Sequence, residues 1–338
     1  MVLAASQEPL VAAYDLVMLD LDGVVYIGDE PVPGAPEHLD RAREAGAHLA
    51  FVTNNASRPP EAVAEKLNRM GVTAQTDDVV TSAQAAARML AERLPAGAAV
   101  ACLGADGLEQ ALRAVGLEPV HVADDSALAL ATGYAPDVRW RDVMRAATRV
   151  RDGLPWVASN TDLSLPTPFG TAPGHGVLVR MLEDFSGVTA DVAGKPERPL
   201  LDETVRRVGG ERPLMVGDRL DTDIEGAHRA GVDSLLVLTG VTGLADLVAA
   251  APDLRPTYVS TDLAGLFESH PAPGRDGDAG TCGGWRATVD AGTLVVSGSG
   301  GPDDWWRVVA DVAWAHLDET GTPVVTDGLA VPAAAPDG

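Results

Sequence analysis

Cysteine is almost missing from this chain, and what is present cannot build a framework. Cys102 and Cys282 are the only two and stand 180 positions apart, giving neither a zinc-ligand spacing nor a disulfide pattern. Basic charge is scarce as well. With 25 Lys and Arg against 49 Asp and Glu, the formal net charge is −24, which argues against nucleic acid or an anionic membrane surface as a partner. No run approaches the roughly 18 to 20 apolar residues of a membrane span. The opening residues, MVLAASQEPLVAAY, lack both the basic start and the continuous apolar stretch of a secretory signal. A cytoplasmic protein with free thiols is therefore expected. If its substrate is an anion, attraction must be local, through a bound cation and a few placed basic groups.

What is present fits a packed globular protein: 46% apolar and 22% charged residues, in a length sufficient for two or three domains. The first 80 residues alternate an apolar strand at 16–19, a helix near 37–46, a strand at 49–52 and a helix over 60–70 closed by Gly71. That order, repeated by strands at 212–216 and 234–238, predicts an α/β fold with a Rossmann-like parallel sheet as its core. Between these lie strands at 98–103, 128–131 and 156–158 and helices at 107–115 and 140–151, an independent α/β rhythm. An inserted α/β domain is placed at 84–188, leaving 1–83 and 189–270 as the catalytic core. Residues 271–284, rich in Gly, Pro and Asp, read as a linker. Beyond them a small α+β segment, 285–338, carries a hairpin, a helix around Trp305 to Leu317 and a short strand at 323–325. Four of the six tryptophans, Trp285, Trp305, Trp306 and Trp314, fall there. So short a segment cannot bury four indoles alone, so it is expected to dock on the core or on a second copy, the latter making a homodimer.

Where the first strand runs out, Leu19-Asp20-Leu21-Asp22-Gly23 places two carboxylates two residues apart. On an extended segment such neighbours point the same way, and two negative charges facing one spot need a cation or a shared proton. Taken alone, the run reads equally well as an Asp-Gly turn. Thr53-Asn54-Asn55 puts a hydroxyl and amides at the end of the second strand, the edge where open α/β sheets bind ligands; alone, these are ordinary turn residues. Lys195 stands directly before Pro196, and an arbitrary lysine is a solvated surface group. Asp218, Asp221 and Asp223 follow a later strand, where acids in a first helical turn are commonplace.

In order, D-L-D-G-V, T-N, K-P and G-D-x-x-x-T-D resemble the four motifs of the haloacid dehalogenase superfamily of aspartate-nucleophile phosphohydrolases, over about residues 15–265. The resemblance implies that Asp20 is the nucleophile and Asp22 the general acid/base. Thr53, with Asn54, and Lys195 would hold the phosphoryl oxygens. Asp20, the Asp22 backbone carbonyl and Asp218 would ligate Mg²⁺, with Asp223 behind them. Those roles are chemically coherent, since Mg²⁺ prefers hard oxygen ligands and needs few from the protein. A cation and a lysine also offset the repulsion between a carboxylate nucleophile and an anionic ester.

Spacing sharpens the class. Thr53 follows Asp22 by 31 residues and Lys195 follows Thr53 by 142, so an inserted cap fits only in the second interval. That resembles the type-two cap of the phosphoglycolate, pyridoxal-phosphate, nucleotide-monophosphate and glycerol-3-phosphate phosphatases. Asn160, Asp162 and His175 are the cap residues put forward to contact the leaving group, although local hydrogen bonds could equally hold such a loop. Trp140 and Trp156 are the only tryptophans in the cap, which offers no stacking platform for a pyridine or nucleobase. A small polyol or acid phosphate is expected; the resemblance of core and tail favours glycerol 3-phosphate, with phosphoglycolate as the alternative. A reading of another class, a regulatory or binding protein, rests on the tail, which faintly resembles part of an acetyltransferase fold and carries a Gly-rich stretch at 297–301 before its helix. Docking is the expected role instead, and removal of residues 275–338 is expected to leave hydrolysis largely intact.

Overall fold

The computed structural model describes residues 3–167 and 169–332. The chain divides into two compact units, residues 1–49 with 210–338, and residues 50–209. In the first unit four strands of a parallel, Rossmann-like sheet run in the order Tyr258–Ser260, Asp233–Val237, Pro213–Gly217 and Leu16–Leu19. Every residue of Leu16–Leu19 is buried, as an unbroken apolar run must be when helices cover both faces of a sheet. Leu19 pairs with Val216, and the Asp20 N–H donates to the Val216 carbonyl at 2.9 Å. Asp20 and Asp218 therefore leave the carboxyl ends of two adjacent strands.

The second unit opens within the strand His48–Thr53, whose Phe51, Val52 and Thr53 pair in parallel with Val79, Val80 and Thr81. Helix Ser82–Ala91 starts from a capping box: Thr81 Oγ1 accepts from the Gln84 N–H at 3.3 Å and Gln84 Oε1 accepts from the Thr81 N–H at 2.8 Å. A five-stranded parallel sheet follows, in the order Asp191–Val192, Trp156–Ala158, Ala129–Thr132, Ala99–Leu103 and Glu118–Val120. Helices Trp140–Arg151 and His175–Ser186 cover it with Val143, Ala146, Val150, Val179 and Leu182. An antiparallel hairpin, Ser164–Thr167 with Gly170–Pro173, precedes the second of these helices. Among the described residues no helix is long and apolar enough to cross a membrane.

The tail differs most from the sequence expectation. Residues 271–284, read as a linker, contain strands Gly274–Asp276 and Ala279–Cys282, which join Trp285–Asp290 and Thr293–Gly298 in a four-stranded antiparallel sheet. Their small residues serve packing rather than flexibility: a Cβ on Gly280 would lie 2.5 Å from the Val312 side chain of helix Pro302–Thr320. That helix is buried on all sides from Trp305 to Trp314. It shares one apolar cluster with Leu236, Leu247, Val248 and Val259 of the first unit and with Ala287 and Leu294 of the tail sheet. Trp314 Nε1 donates to the Leu247 carbonyl at 2.7 Å. Buried Arg255 makes a bidentate pair with Asp318 at 2.8 and 2.6 Å. The tail thus docks on its own chain. The expected strand at 323–325 reduces to a single bridge between Val325 and Thr293.

Candidate active site

Carboxylates gather at the carboxyl end of the first unit's sheet. Ligand oxygens of Asp20, Asp218 and Asp223 all lie within 4.8 Å of one another, with Asp218 and Asp223 buried. Three like charges so close in a partly desolvated place are strongly unfavourable unless a cation or protons offset them. The donor set is all hard oxygen, which suits Mg²⁺. The sequence had set Asp223 behind the metal ligands; the structure brings it into the cluster. It reaches there because the segment after Arg219 winds as a wide turn, Leu220–Ile224, before helix Glu225–Ala230, and the Arg219 N–H donates back to Asp223 Oδ2 at 3.2 Å.

Asp22 follows two residues after Asp20, on the turn beyond the strand. The strand itself ends at Leu19, one residue before the first of the two carboxylates. Residues 20–25 form a turn in which Gly23 takes φ +87° and donates to the Tyr26 carbonyl at 2.8 Å. Asp22 is exposed on that turn and its carboxylate is not part of the cluster.

A loop that the sequence reading passed over completes the surroundings of Asp218. After strand Asp233–Val237, the Val241 N–H donates to Asp218 Oδ2 at 2.7 Å and Thr239 Oγ1 donates to the Gly23 carbonyl at 2.5 Å. Gly23 and Gly240 leave the space in which that carboxylate sits: a Cβ would stand 2.4 Å and 1.9 Å, respectively, from Asp218 Oδ2. The available signal was positional, a Thr-Gly pair just past an apolar strand.

In the second unit Thr53, Asn54, Asn160, Asp162 and Lys195 come together. Lys195 is 1% exposed, and its ammonium donates to the Val52 carbonyl at 3.4 Å. It is one of only two lysines in the chain, with Lys66, a scarcity that could have marked it. Thr53 Oγ1 accepts from the Asn55 N–H at 3.1 Å. The Asn54 side chain, put forward for phosphate, is fully engaged within the protein. Its Nδ2 donates to Asp162 Oδ1 at 3.0 Å and to the Lys195 carbonyl at 2.9 Å, and its Oδ1 accepts from the Lys195 N–H at 2.8 Å. Both amide hydrogens are used, so this carboxamide holds Lys195 rather than a ligand. Asn160 is likewise committed: it is buried, Nδ2 donates to the Asn54 carbonyl at 2.7 Å, and Oδ1 accepts from the Asp162 N–H at 3.2 Å.

His175 begins helix His175–Ser186, and neither ring nitrogen has a hydrogen-bond partner. Burial lowers its pKa from 6.5 to about 4, so the imidazole is neutral at neutral pH. A folded value below the unfolded one means that the unfolded chain binds the extra proton. Stability is therefore intact above about pH 6.5 and is lost as pH falls toward 4, by about 3 kcal/mol from this group. Replacing His175 with Leu should flatten that part of the urea-unfolding stability profile between pH 6.5 and 4.5; an unchanged acid slope would show that other groups set it.

The profile of the haloacid dehalogenase-like hydrolases matches residues 17–118, and a second, HAD-hydrolase-like profile matches residues 192–266. The chain is 42% identical over 297 residues to a D-glycerol 3-phosphate phosphatase of Mycobacterium tuberculosis, covering 86% of this chain and 80% of that protein. It is 36% identical over 252 residues to an acid sugar phosphatase of Staphylococcus saprophyticus, covering 74% of this chain and 95% of that protein. A crystal structure of a glycerol phosphate phosphatase from Mycobacterium tuberculosis in complex with magnesium superposes with a TM-score of 0.85 at 40% identity, over 94% of each chain.

Proposed function

The chain belongs to the haloacid dehalogenase-like hydrolases, and from that footing we propose that it is a Mg²⁺-dependent phosphatase that hydrolyses glycerol 3-phosphate to glycerol and phosphate. The observation that carries the choice of ester is coverage. The sugar phosphatase is matched over nearly its whole length yet leaves about a quarter of this chain unmatched, whereas the glycerol phosphate phosphatase structure aligns over 94% of both chains, a span too long to omit the tail. Free thiols at Cys102 and Cys282 go with a cytoplasmic setting for such an enzyme.

Asp20, Asp218 and Asp223, with the Asp22 backbone carbonyl, are the groups that would hold Mg²⁺. The ion, when bound, supplies positive charge against the phosphoryl oxygens as negative charge spreads over them. Asp20 attacks phosphorus as the bond to the ester oxygen breaks, and Asp22 gives its proton to the departing alkoxide. The resulting aspartyl-phosphate is then attacked by water, whose proton returns to Asp22, and the bond from phosphorus to Asp20 breaks to release phosphate. Thr53 and the Lys195 ammonium would bind phosphoryl oxygens. Residues 84–188 would act as the cap, where neutral His175 is suited to exchange a hydrogen bond with a polyol hydroxyl.

A panel of phosphate esters with Mg²⁺ tests the reading. The highest kcat/KM is expected for glycerol 3-phosphate; a higher value for 2-phosphoglycolate would overturn the choice of ester. Gly240→Ala gives an independent check on the metal site, because its Cβ would overlap Asp218 Oδ2 at 1.9 Å. The Mg²⁺ concentration for half-maximal activity should rise by about ten- to a hundredfold, as for disturbed groups around metal ligands; an unchanged Mg²⁺ requirement would remove Asp218 from the site.

A further inference from the structure

We propose that Asp162 is a positioning residue for Lys195, acting through the Asn54 carboxamide; this rests on the phosphatase reading above. Asn54 is only 9% exposed and ties together two segments far apart in sequence. On one side it grips both main-chain groups of Lys195, accepting from the N–H at 2.8 Å and donating to the carbonyl at 2.9 Å. On the other side its second amide hydrogen goes to Asp162 Oδ1 at 3.0 Å. Its own carbonyl accepts from Ser82 Oγ at 2.6 Å and from Asn160 Nδ2 at 2.7 Å.

A carboxamide held this way has a defined sense. An ionised Asp162 only accepts, so it selects the orientation in which nitrogen faces it, and Oδ1 is then left for the Lys195 N–H. Rotating the group by half a turn would set donor against donor at Lys195. Asp162 is itself fixed: its N–H goes to Asn160 Oδ1 at 3.2 Å and its carbonyl accepts from the Gly176 N–H at 2.8 Å. The loop before the Ser164–Thr167 hairpin strand therefore sets the main chain from which the phosphate-binding ammonium is projected. Removing the Asp162 acceptor leaves a buried N–H unpaired and takes away one of the three hydrogen bonds that hold the carboxamide against the Lys195 main chain. Phosphoryl binding should suffer whatever alcohol is attached, which separates this role from direct recognition of the leaving group.

The test is a double-mutant cycle on Asp162→Ala and Asn54→Ala in the full chain, read with glycerol 3-phosphate, with 4-nitrophenyl phosphate, and by calorimetric titration of inorganic phosphate in Mg²⁺. Asp162→Ala is expected to lower kcat/KM about tenfold for both esters and to weaken phosphate binding by a similar factor. In the Asn54→Ala background the same change should add less than about twofold, and Asp162→Asn, which still offers an acceptor, should recover most of the loss. A loss confined to one ester with unchanged phosphate affinity, or effects that multiply in the double variant, would overturn the proposal. If Asp162→Ala does not fold, Asp162→Ser, too short to reach the amide, takes its place in the cycle. Wild-type protein that turns over neither ester would sink the phosphatase reading, while the calorimetric arm would still decide this one.

Discussion

Asp20→Asn is expected to abolish turnover of every ester, by at least about a thousandfold in kcat, without unfolding the protein. The asparagine keeps the shape but removes the charge that makes the nucleophile. It also removes one of three carboxylates whose oxygens lie within 4.8 Å of one another. Relief of that repulsion means the variant should melt no lower than wild type when divalent cations are chelated, the usual relation between a strained site and stability. Acid quench during turnover should trap phosphate on wild-type protein and none on the variant. Residual turnover near the wild-type rate would exclude Asp20 as nucleophile, and a lower melting point in chelator would mean the cluster is held by donors rather than by a cation.

Asp22→Asn belongs to the same experiment and should behave differently. An alkoxide such as that of glycerol needs a proton as it leaves, whereas a nitrophenolate does not. Loss of the general acid should therefore slow formation of the aspartyl-phosphate by about a hundredfold or more with glycerol 3-phosphate and far less with 4-nitrophenyl phosphate. Equal losses with the two esters would assign Asp22 to binding instead. Its exposure agrees with a group that must meet solvent to exchange its proton.

How much of this was legible follows from the range of the interactions involved. The strand Leu16–Leu19 could be read because a fully buried strand is a local pattern of four apolar residues ended by charge. Helix Trp140–Arg151 could be read because its apolar positions keep helical spacing. Short elements escaped: Val79–Thr81 has three residues, and Glu118–Val120 carries a proline. Helix Ser82–Ala91 is so rich in alanine that it shows little periodicity, and Gly174 and Gly176 hid the start of the helix at His175. Asp20, Asp218 and Asp223 were found by motif, yet that Asp223 stands beside the others depends on a wide turn that its sequence does not announce. Asn54 shows the limit plainly. Its partners Asp162 and Lys195 lie 108 and 141 positions away, and only the fold makes its amide a structural joint.

The tail reverses a sequence expectation and gives the second large effect. Loss of residues 275–338 was expected to spare the core, but it would uncover Leu236, Leu247, Val248 and Val259, which Trp305, Trp306 and Trp314 cover. Replacing one buried tryptophan with alanine costs about 3 to 5 kcal/mol. Removing three, about 9 to 15 kcal/mol, matches the whole reserve of a typical domain, about 5 to 15 kcal/mol. The truncated chain is therefore expected to aggregate or to lose its cooperative unfolding transition, and Trp305→Ala alone to lower stability in urea by about 3 to 5 kcal/mol. Arg255→Ala should loosen the same contact through the lost pair with Asp318. Because Arg255 holds the Asp318 carboxyl below its ordinary range, that link is present above about pH 4 and fades as pH falls through the depressed value. A truncated protein that melts cooperatively within a few degrees of wild type would show the helix Pro302–Thr320 to be a detachable module. In that case the six-tryptophan chain would have placed its indoles for a purpose other than closing its own core.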